Sequence, residues 1–496
     1  MRIERITQNR VVELLQKKLN YISLYGGNLQ DRFGNSNIEV DVLETYLTEK
    51  AKYSDALAKN AVIELKKAAA LSTTDDLYPV NRSVYNLLRY GVKVKEDVGE
   101  NNVTVHLIDW KHPENNRFYY AEEVTIKSTK EKRPDVVLYV NGIALVVLEL
   151  KRASVSVTEG IRQNLDNQQH RFIKPFFSTV QLILAGNDSQ GLWYGTTKTP
   201  EKFYLKWKED KYTYDPDTNL LDQHILQFCK PERILEFIHD FIVFDAGTKK
   251  LFRPNQYFGV KAAQEFAKAR KGGIIWHTQG SGKSLTMVWL AKWLREHIEN
   301  ARVLIVTDRE ELDAQIETVF NGVDEKIVRC KRSGALSGGE VLLNALHATA
   351  PWLLCSLIHK FAGREDDQEV EEYIKEIKRK MPKDFSPKGN IFVYIDECHR
   401  TQSGKLHEAM KEILPNATFI GFTGTPLMKA DKKKSIEVFG PYIHTYKFDE
   451  AVKDGVVLDL LYEARDVDQH VLDQKGIDEW FAEVTRGMND LPKAEL

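Results

Sequence analysis

The sequence predicts an α/β protein in which a β-hairpin-bearing domain precedes a doubly wound parallel sheet. Three observations carry this. At Ile274–Met287 an apolar run, a small Gly-rich turn and an apolar helical pattern follow one another directly. Downstream, the apolar runs Arg302–Thr307, Trp352–Leu357, Ile391–Ile395 and Phe419–Phe422 read as strands alternating with helices. Upstream, two β-rich runs flank Asn141-Gly142, a dipeptide suited to a tight hairpin.

Composition sets the bounds. The chain has 496 residues, enough for two to four domains, and 42% apolar residues can build real cores. Lys plus Arg number 70 against 72 Asp plus Glu, so global charge does not mark a nucleic-acid binder and any such contact is local. Cys229, Cys330, Cys355 and Cys398 have no paired metal spacing, which suits reduced thiols in a cytoplasmic protein. The N-terminus has no apolar signal core, and the longest apolar run, Ile143–Leu148, is far short of a membrane span. No internal repeat is present.

In chain order, residues 1–95 read as mostly helical after a short strand-like start, with helical spacing at Val62–Leu71 and Ser83–Tyr90. Val103–Ile108 and Val124–Ile126 read as strands, as do Val180–Ala185 and Gly191–Tyr194. The polar stretch Lys198–Asp217 includes a Tyr-Asp-Pro-Asp turn, and Leu221–Val243 reads as a helical connector. Lys249, Lys250, Arg253, Lys261, Lys268, Arg270 and Lys271 form a basic stretch, either a solvated face or a rim facing DNA.

The first chemical constellation spans Pro134–Lys151. Glu149 and Lys151 share one face by the strand period of two. A two-residue loop at Asn141-Gly142 would pair Asp135 with Leu148 and put Glu149 on the other face. A three-residue loop, 140–142, would pair Asp135 with Val147 and set Asp135 and Glu149 diagonally on one face, within reach of one cation. Function favours the second. Two carboxylates and a lysine on one face suit Mg²⁺-dependent phosphodiester hydrolysis: Asp135 and Glu149 as metal ligands, Lys151 positioning water or stabilising developing charge. The bland alternative is two charged strand ends and a solvated lysine.

The second constellation is a nucleotide site. In Gly280-Ser281-Gly282-Lys283-Ser284 the glycines let backbone N–H groups turn toward phosphates. Lys283 can reach the β- and γ-phosphates of ATP, and the Ser284 hydroxyl can hold Mg²⁺. His277 stands where the fuller phosphate-loop pattern has its first glycine. The strand Ile391–Ile395 runs into Asp396-Glu397, one acid for Mg²⁺ and one to polarise the attacking water. Gln256, just upstream, carries an amide that can both donate to and accept from adenine.

These residues resemble known families. Asp135…Glu149-Leu150-Lys151, with Pro134 before it, resembles the PD-(D/E)xK nuclease signature. Gln163-Asn-Leu-Asp-Asn167 is similar to the Gln-x-x-x-Tyr accessory motif of RecB-like nucleases, with Asn167 in place of tyrosine, and it adds Gln163 to the candidate catalytic residues. Gln256, Gly280–Ser284, Asp396-Glu397-Cys398-His399 and Thr423-Gly424-Thr425-Pro426 resemble superfamily 2 helicases, whose first motor lobe is RecA-like. Together with Val84–Gly91, Phe439–Tyr442 and Ala451–Gly455, the set resembles the R subunit of type I restriction-modification enzymes. The resemblance implies ATP-driven translocation, cleavage of double-stranded DNA away from the recognition site, and assembly with methyltransferase (M) and specificity (S) subunits. It divides the chain into an endonuclease domain at 1–225 (core about 84–200), a helical connector at 226–250, a first RecA-like domain at 251–445 and a linker at 446–496.

Helicases of this class use a second RecA-like lobe that supplies arginine fingers. Leu496 lies only 41 residues beyond Gly455, so the expectation is an N-terminal fragment that binds ATP weakly, hydrolyses it slowly and does not translocate. Two other readings fit the same residues: a free-standing helicase–nuclease of DNA repair, and a binding module that docks DNA under ATP control. A methyltransferase or specificity partner argues for restriction, and turnover measurements separate enzyme from module.

Overall fold

The structure, a computed structural model, describes residues 3–25, 36–72, 75–126, 132–209, 218–307, 310–331, 333, 338–357, 379, 381, 385–398, 410–425, 439–460 and 474–486. His399, Pro426 and the Tyr214–Asp217 turn, all singled out in the sequence, lie outside the described residues.

The chain opens on a helix, α1 (Ile3–Lys17), where a short strand was expected. Val11 and Leu15 recur at helical spacing and both are fully buried, and this one-sided burial selects helix over strand. After β1 (Ile22–Ser23) come α2 (Val40–Thr45), α3 (Asp55–Ala69) and α4 (Leu77–Tyr90); α4 covers the expected Ser83–Tyr90, and α3 contains Val62 but ends at Ala69, short of the expected Leu71. Asp76 caps α4 by accepting from the Tyr78 N–H, and Gly91, at φ +82°, ends it. A separate ribbon follows, β2 (Val92–Val94) against β3 (Val103–Val105), so the strand expected to Ile108 stops early. Val124–Ile126 is not a strand: Thr125 and Ile126 lie in isolated bridges, that of Ile126 to Lys132.

β4 (Phe118–Glu122), absent from the sequence expectations, pairs antiparallel with β5 (Val136–Val140), which pairs antiparallel with β6 (Ile143–Leu150). α5 (Val157–Asn167) carries the chain to β7 (Leu182–Asn187), parallel to β6, and β8 (Gly191–Gly195) and β9 (Leu205–Lys206) close the sheet. The order is β1-β4-β5-β6-β7-β8-β9. β5 and β6 are buried along their whole length, which explains their near-continuous Val/Leu/Ile character.

The hairpin corrects both registers considered above. Val140 pairs with Ile143 across a two-residue turn, with Asn141 at φ +52° and Gly142 at φ +88°, as a type I′ turn requires. The register then slips at Leu138/Tyr139, because Leu145 is an extra residue on β6, and Val136 pairs with Leu148. Carried one step outward, this sets Asp135 opposite Glu149. The bulge, not a longer loop, returns the two acids to one face.

The connector is two helices, α6 (Leu220–Phe228) and α7 (Pro231–Asp240), and not a single run, because Pro231 cannot continue a helix and instead starts a new one. Its end is a hairpin, β10 (Ile242–Asp245) and β11 (Thr248–Leu251). Then come α8 (Pro254–Lys268), β12 (Gly273–His277), α9 (Lys283–His297), β13 (Ala301–Thr307), α10 (Glu310–Gly322), β14 (Val328–Arg329), α11 (Gly338–His347), β15 (Leu353–Leu357), β16 (Asn390–Ile395), β17 (Thr418–Thr423) and β18 (Tyr442–Tyr446). The second sheet is parallel throughout, in the order β14-β15-β13-β16-β17-β12-β18. β16, β17 and β12 are consecutive neighbours, so three sequence-distant strand ends open onto one edge, where ligands bind in such sheets.

The basic stretch is divided: Lys249 is turned inside, Lys250, Arg253 and Lys261 are half-buried, and Lys268, Arg270 and Lys271 are exposed. Lys249 is buried, its Nζ 2.8 Å from Asn81 Oδ1 and 2.6 Å from Gln181 Oε1, tying β11 to the first domain. Lys250 pairs with Asp245, Lys261 with Glu236 and Lys268 with Glu265, while Arg270 lies over the Phe392 ring. No helix among the described residues is long and apolar enough to cross a membrane.

Candidate functional site

In the first domain, the end of β6 and the face of α5 build one polar pocket. Glu149 is fully buried and Asp135 half-buried. Asp135 Oδ2 accepts from the Leu150 N–H at 2.7 Å, and its charge acts directly on the Glu149 carboxyl. Burial first, then the neighbouring charge of Asp135, pushes Glu149 well above the usual carboxylate range. Glu149 Oε2 has no hydrogen-bond partner among the described residues. A buried carboxylate oxygen left in this state is costly unless a cation or a proton meets it, so the donor set fits a hard divalent ion.

Lys151 leaves the same strand end, and its Nζ donates to Gln163 Oε1 at 2.9 Å. Four residues on, Asn167 Nδ2 lies 3.4 Å from Glu149 Oε1. The helix approaches the strand closely: a Cβ on Gly160 would already touch Ala185, Lys151 and Glu149 at 3.4–3.6 Å. From α1, Gln8 Nε2 donates to the Asp135 carbonyl at 3.1 Å, a support that nothing in the motif signals. Asp135, Glu149, Lys151 and Gln163 therefore converge.

At the edge of the second sheet, Gly280 and Gly282 sit at φ +80° and +90°, and α9 starts at Lys283. At Gly282 the positive φ favours glycine, and a Cβ there would also fall 2.3 Å from Gln256 Nε2 and displace that amide. Ser281 Oγ donates to the Thr278 carbonyl at 2.5 Å, and Arg253 Nη1 holds the Gly280 carbonyl at 3.1 Å. β18, which the sequence reading did not single out as a strand, backs the loop through Thr278 N–H to the Tyr446 carbonyl, 2.9 Å. His277 is buried, and its Nε2 lies 2.8 Å from His444 Nδ1 on β18.

Lys283 Nζ lies 3.7 Å from Glu397 Oε1, and a Cβ on Gly424 would sit 2.8 Å from it. The ends of β12, β16 and β17 thus meet around one ammonium. Asp396 is 8% exposed, and burial followed by the Glu397 charge raises its carboxyl to about 6, against the pull of Lys283. Ser284 is half-buried on the first turn of α9. Gln256 bridges: its Nε2 donates to the Gly282 carbonyl at 2.9 Å and its Oε1 accepts from the Arg253 N–H at 2.7 Å. Each end of the amide makes one loop hydrogen bond, which leaves one N–H and one oxygen lone pair with which to meet adenine.

Among the described residues, His239, Asp240 and Glu296 also have metal-ligand spacing. The buried Arg89 guanidinium already donates to Glu296 and to the His239 carbonyl. The cluster is an ion-pair tie between α4, α7 and α9. A cavity of about 1300 Å³ opens beside it, away from both polar sites.

Residues 2–202 match the family of the type I restriction enzyme R protein N terminus, and residues 255–494 match the SWI2/SNF2 ATPase family. The type I restriction enzyme HindI endonuclease subunit of Haemophilus influenzae is 30% identical over 539 residues, covering 100% of this chain and 48% of its own length. The SauCOLORF180P endonuclease subunit of Staphylococcus aureus is 26% identical over 431 residues, covering 84% of this chain and 43% of its own. The chain thus spans about half the length of the curated relatives it matches.

Proposed function

Because this chain belongs to the endonuclease-subunit family of type I restriction enzymes and carries a helicase-like ATPase domain, we propose that it contributes the nuclease site and an ATP-binding motor lobe to a subunit that couples ATP-driven translocation on double-stranded DNA to Mg²⁺-dependent cleavage of that DNA. The observation that carries the cleavage half is the fully buried Glu149 under the charge of Asp135, its Oε2 without a hydrogen-bond partner among the described residues, with Lys151 on the same strand end. Asp135 and Glu149 would hold Mg²⁺. The ion supplies a bound water of lowered pKa and charge for the departing oxygen. Lys151, steadied by Gln163, stabilises charge developing on the phosphate. Burial and the Asp135 charge hold the Glu149 carboxyl well above the usual range, so a proton competes with the cation there and cation binding is favoured by rising pH.

On the motor side, the loop amides around Gly280–Gly282 and the N-terminus of α9 receive the ATP phosphates. Lys283 exchanges Glu397 for phosphate oxygens, which leaves Glu397 to orient the attacking water. Ser284 and Asp396 would hold the nucleotide's Mg²⁺. M and S subunits are the proposed partners, with S reading the DNA sequence. The test is an assembly of the R, M and S chains with circular DNA, ATP and Mg²⁺. Double-strand breaks are expected, and they disappear when ATP is omitted or the metal is chelated. Breaks that persist in chelator would sink the metal assignment.

Two further results follow from the nucleotide site. Asp396 has to be ionised to hold a cation, and its carboxyl titrates near 6. Mg²⁺·ATP affinity is therefore expected to be full above pH 7 and to fall as pH drops through about 6. Asp396→Asn should weaken binding and flatten that profile, and an unchanged profile in the variant would assign the titration elsewhere. Gln256→Ala removes two loop hydrogen bonds. At about 1 kcal/mol each, it should weaken ATP and GTP alike by about tenfold or more. A loss confined to ATP would instead mark Gln256 as the reader of adenine.

A further inference from the structure

α5 presents Gln163 and Asn167, four residues apart, on one face. Gln163 holds Lys151 and Asn167 touches Glu149, so a single helix turn backs both polar residues of the Glu-x-Lys strand end. Asn167 is 1% exposed. Its Nδ2 lies 3.4 Å from Glu149 Oε1, while its Oδ1 is buried and has no hydrogen-bond partner among the described residues. The other oxygen of Glu149, Oε2, is in the same condition. Two buried acceptors without donors, joined through one amide–carboxyl contact, are costly as they stand. A hard cation with its oxygen shell satisfies both at once.

Resting on the nuclease reading above, we propose that Asn167 is a positioning residue of the cation site. Its Nδ2 orients Glu149, and its Oδ1 would accept from a water carried in with the ion. The motif resemblance places a tyrosine at this position, which offers a hydroxyl on a rigid ring. The shorter amide offers a donor and an acceptor together, and the acceptor is the atom left over here. Asn167 thereby sets how tightly the ion is held, while Asp135 and Glu149 set whether it is held at all.

The test is calorimetric titration of the whole chain with Mn²⁺ alone, without DNA and so without turnover. The site of interest is the one that Asp135→Ala removes. Asn167→Leu, close in shape and apolar, should weaken that site by about 10–100-fold, the usual effect of losing an outer partner of a metal ligand. Asn167→Asp keeps the shape, adds a third carboxylate and should tighten it. Thermal melting and ATP binding at the Lys283 loop report folding. If the leucine variant misfolds, the aspartate variant carries the test. Mn²⁺ affinity within twofold of the parent in the folded variants, with the site still lost in Asp135→Ala, overturns the role of Asn167 and makes it core packing. A site that survives Asp135→Ala overturns the nuclease reading itself.

Discussion

Asp135→Ala is expected to abolish DNA cleavage, by about 10³-fold or more, while ATP hydrolysis continues at close to its parent rate. The size follows from the chemistry: a bound divalent ion contributes several kcal/mol of transition-state stabilisation, and each 1.36 kcal/mol is tenfold in rate. Asp135 is also the partner that keeps Glu149 from standing alone as an acid. Its removal leaves Glu149 facing Lys151 and Asn167 without a second carboxylate for the ion. The selectivity follows from the architecture. Asp135 and Glu149 belong to the sheet built around β5 and β6, and Lys283 to the parallel sheet at β12. The check is plasmid linearisation and phosphate release measured on the same R, M and S assembly. Cleavage that survives with Asp135 and Glu149 both replaced would place the scissile chemistry elsewhere.

What was legible in the sequence is what lies contiguous in it. The loop Gly280–Ser284 could be read because a strand, a turn and a helix follow within fourteen residues, each with its own period. Asp396-Glu397 could be read because an apolar strand ends on them. The hairpin was legible as a hairpin, since Asn141-Gly142 states its turn type. Its register was not, because a bulge at Leu145 leaves no mark in an all-apolar strand where every residue is buried on both faces. β4 was missed because Phe118–Glu122 is short and only partly apolar. Lys249 was read with its neighbours as part of a charged surface, and its burial depends on Asn81 and Gln181, residues far away in the chain. Asn167 was visible as a departure from a motif. Its contact with Glu149 was signalled by the four-residue step from Gln163, a helical spacing that places both side chains over the same strand end.

Lys283→Ala is expected to lower ATP turnover by about 10²–10³-fold or more, the cost typical of removing one preorganised donor aimed at developing charge. Two effects add in the same direction. The ammonium is the charge that meets the β- and γ-phosphates, and a methyl group cannot replace it. It is also what opposes Asp396 and Glu397: Lys283 pulls the Asp396 carboxyl downward from a level otherwise set by burial and by Glu397. Without it, the Asp396 carboxyl rises further and is less ionised at neutral pH, so Mg²⁺·nucleotide binding suffers as well. The pH below which binding fails should therefore move upward in the variant. Cleavage should fall together with turnover, because in the proposed mechanism breaks require translocation. Asp135→Ala separates the two activities and Lys283→Ala does not, and this asymmetry is the sharpest mark of a motor placed upstream of a nuclease. The measurement is steady-state phosphate release by the assembly, with and without DNA, alongside fluorescent-nucleotide binding at pH 6, 7 and 8. Parent-like, DNA-stimulated turnover in Lys283→Ala would remove this loop from the ATPase.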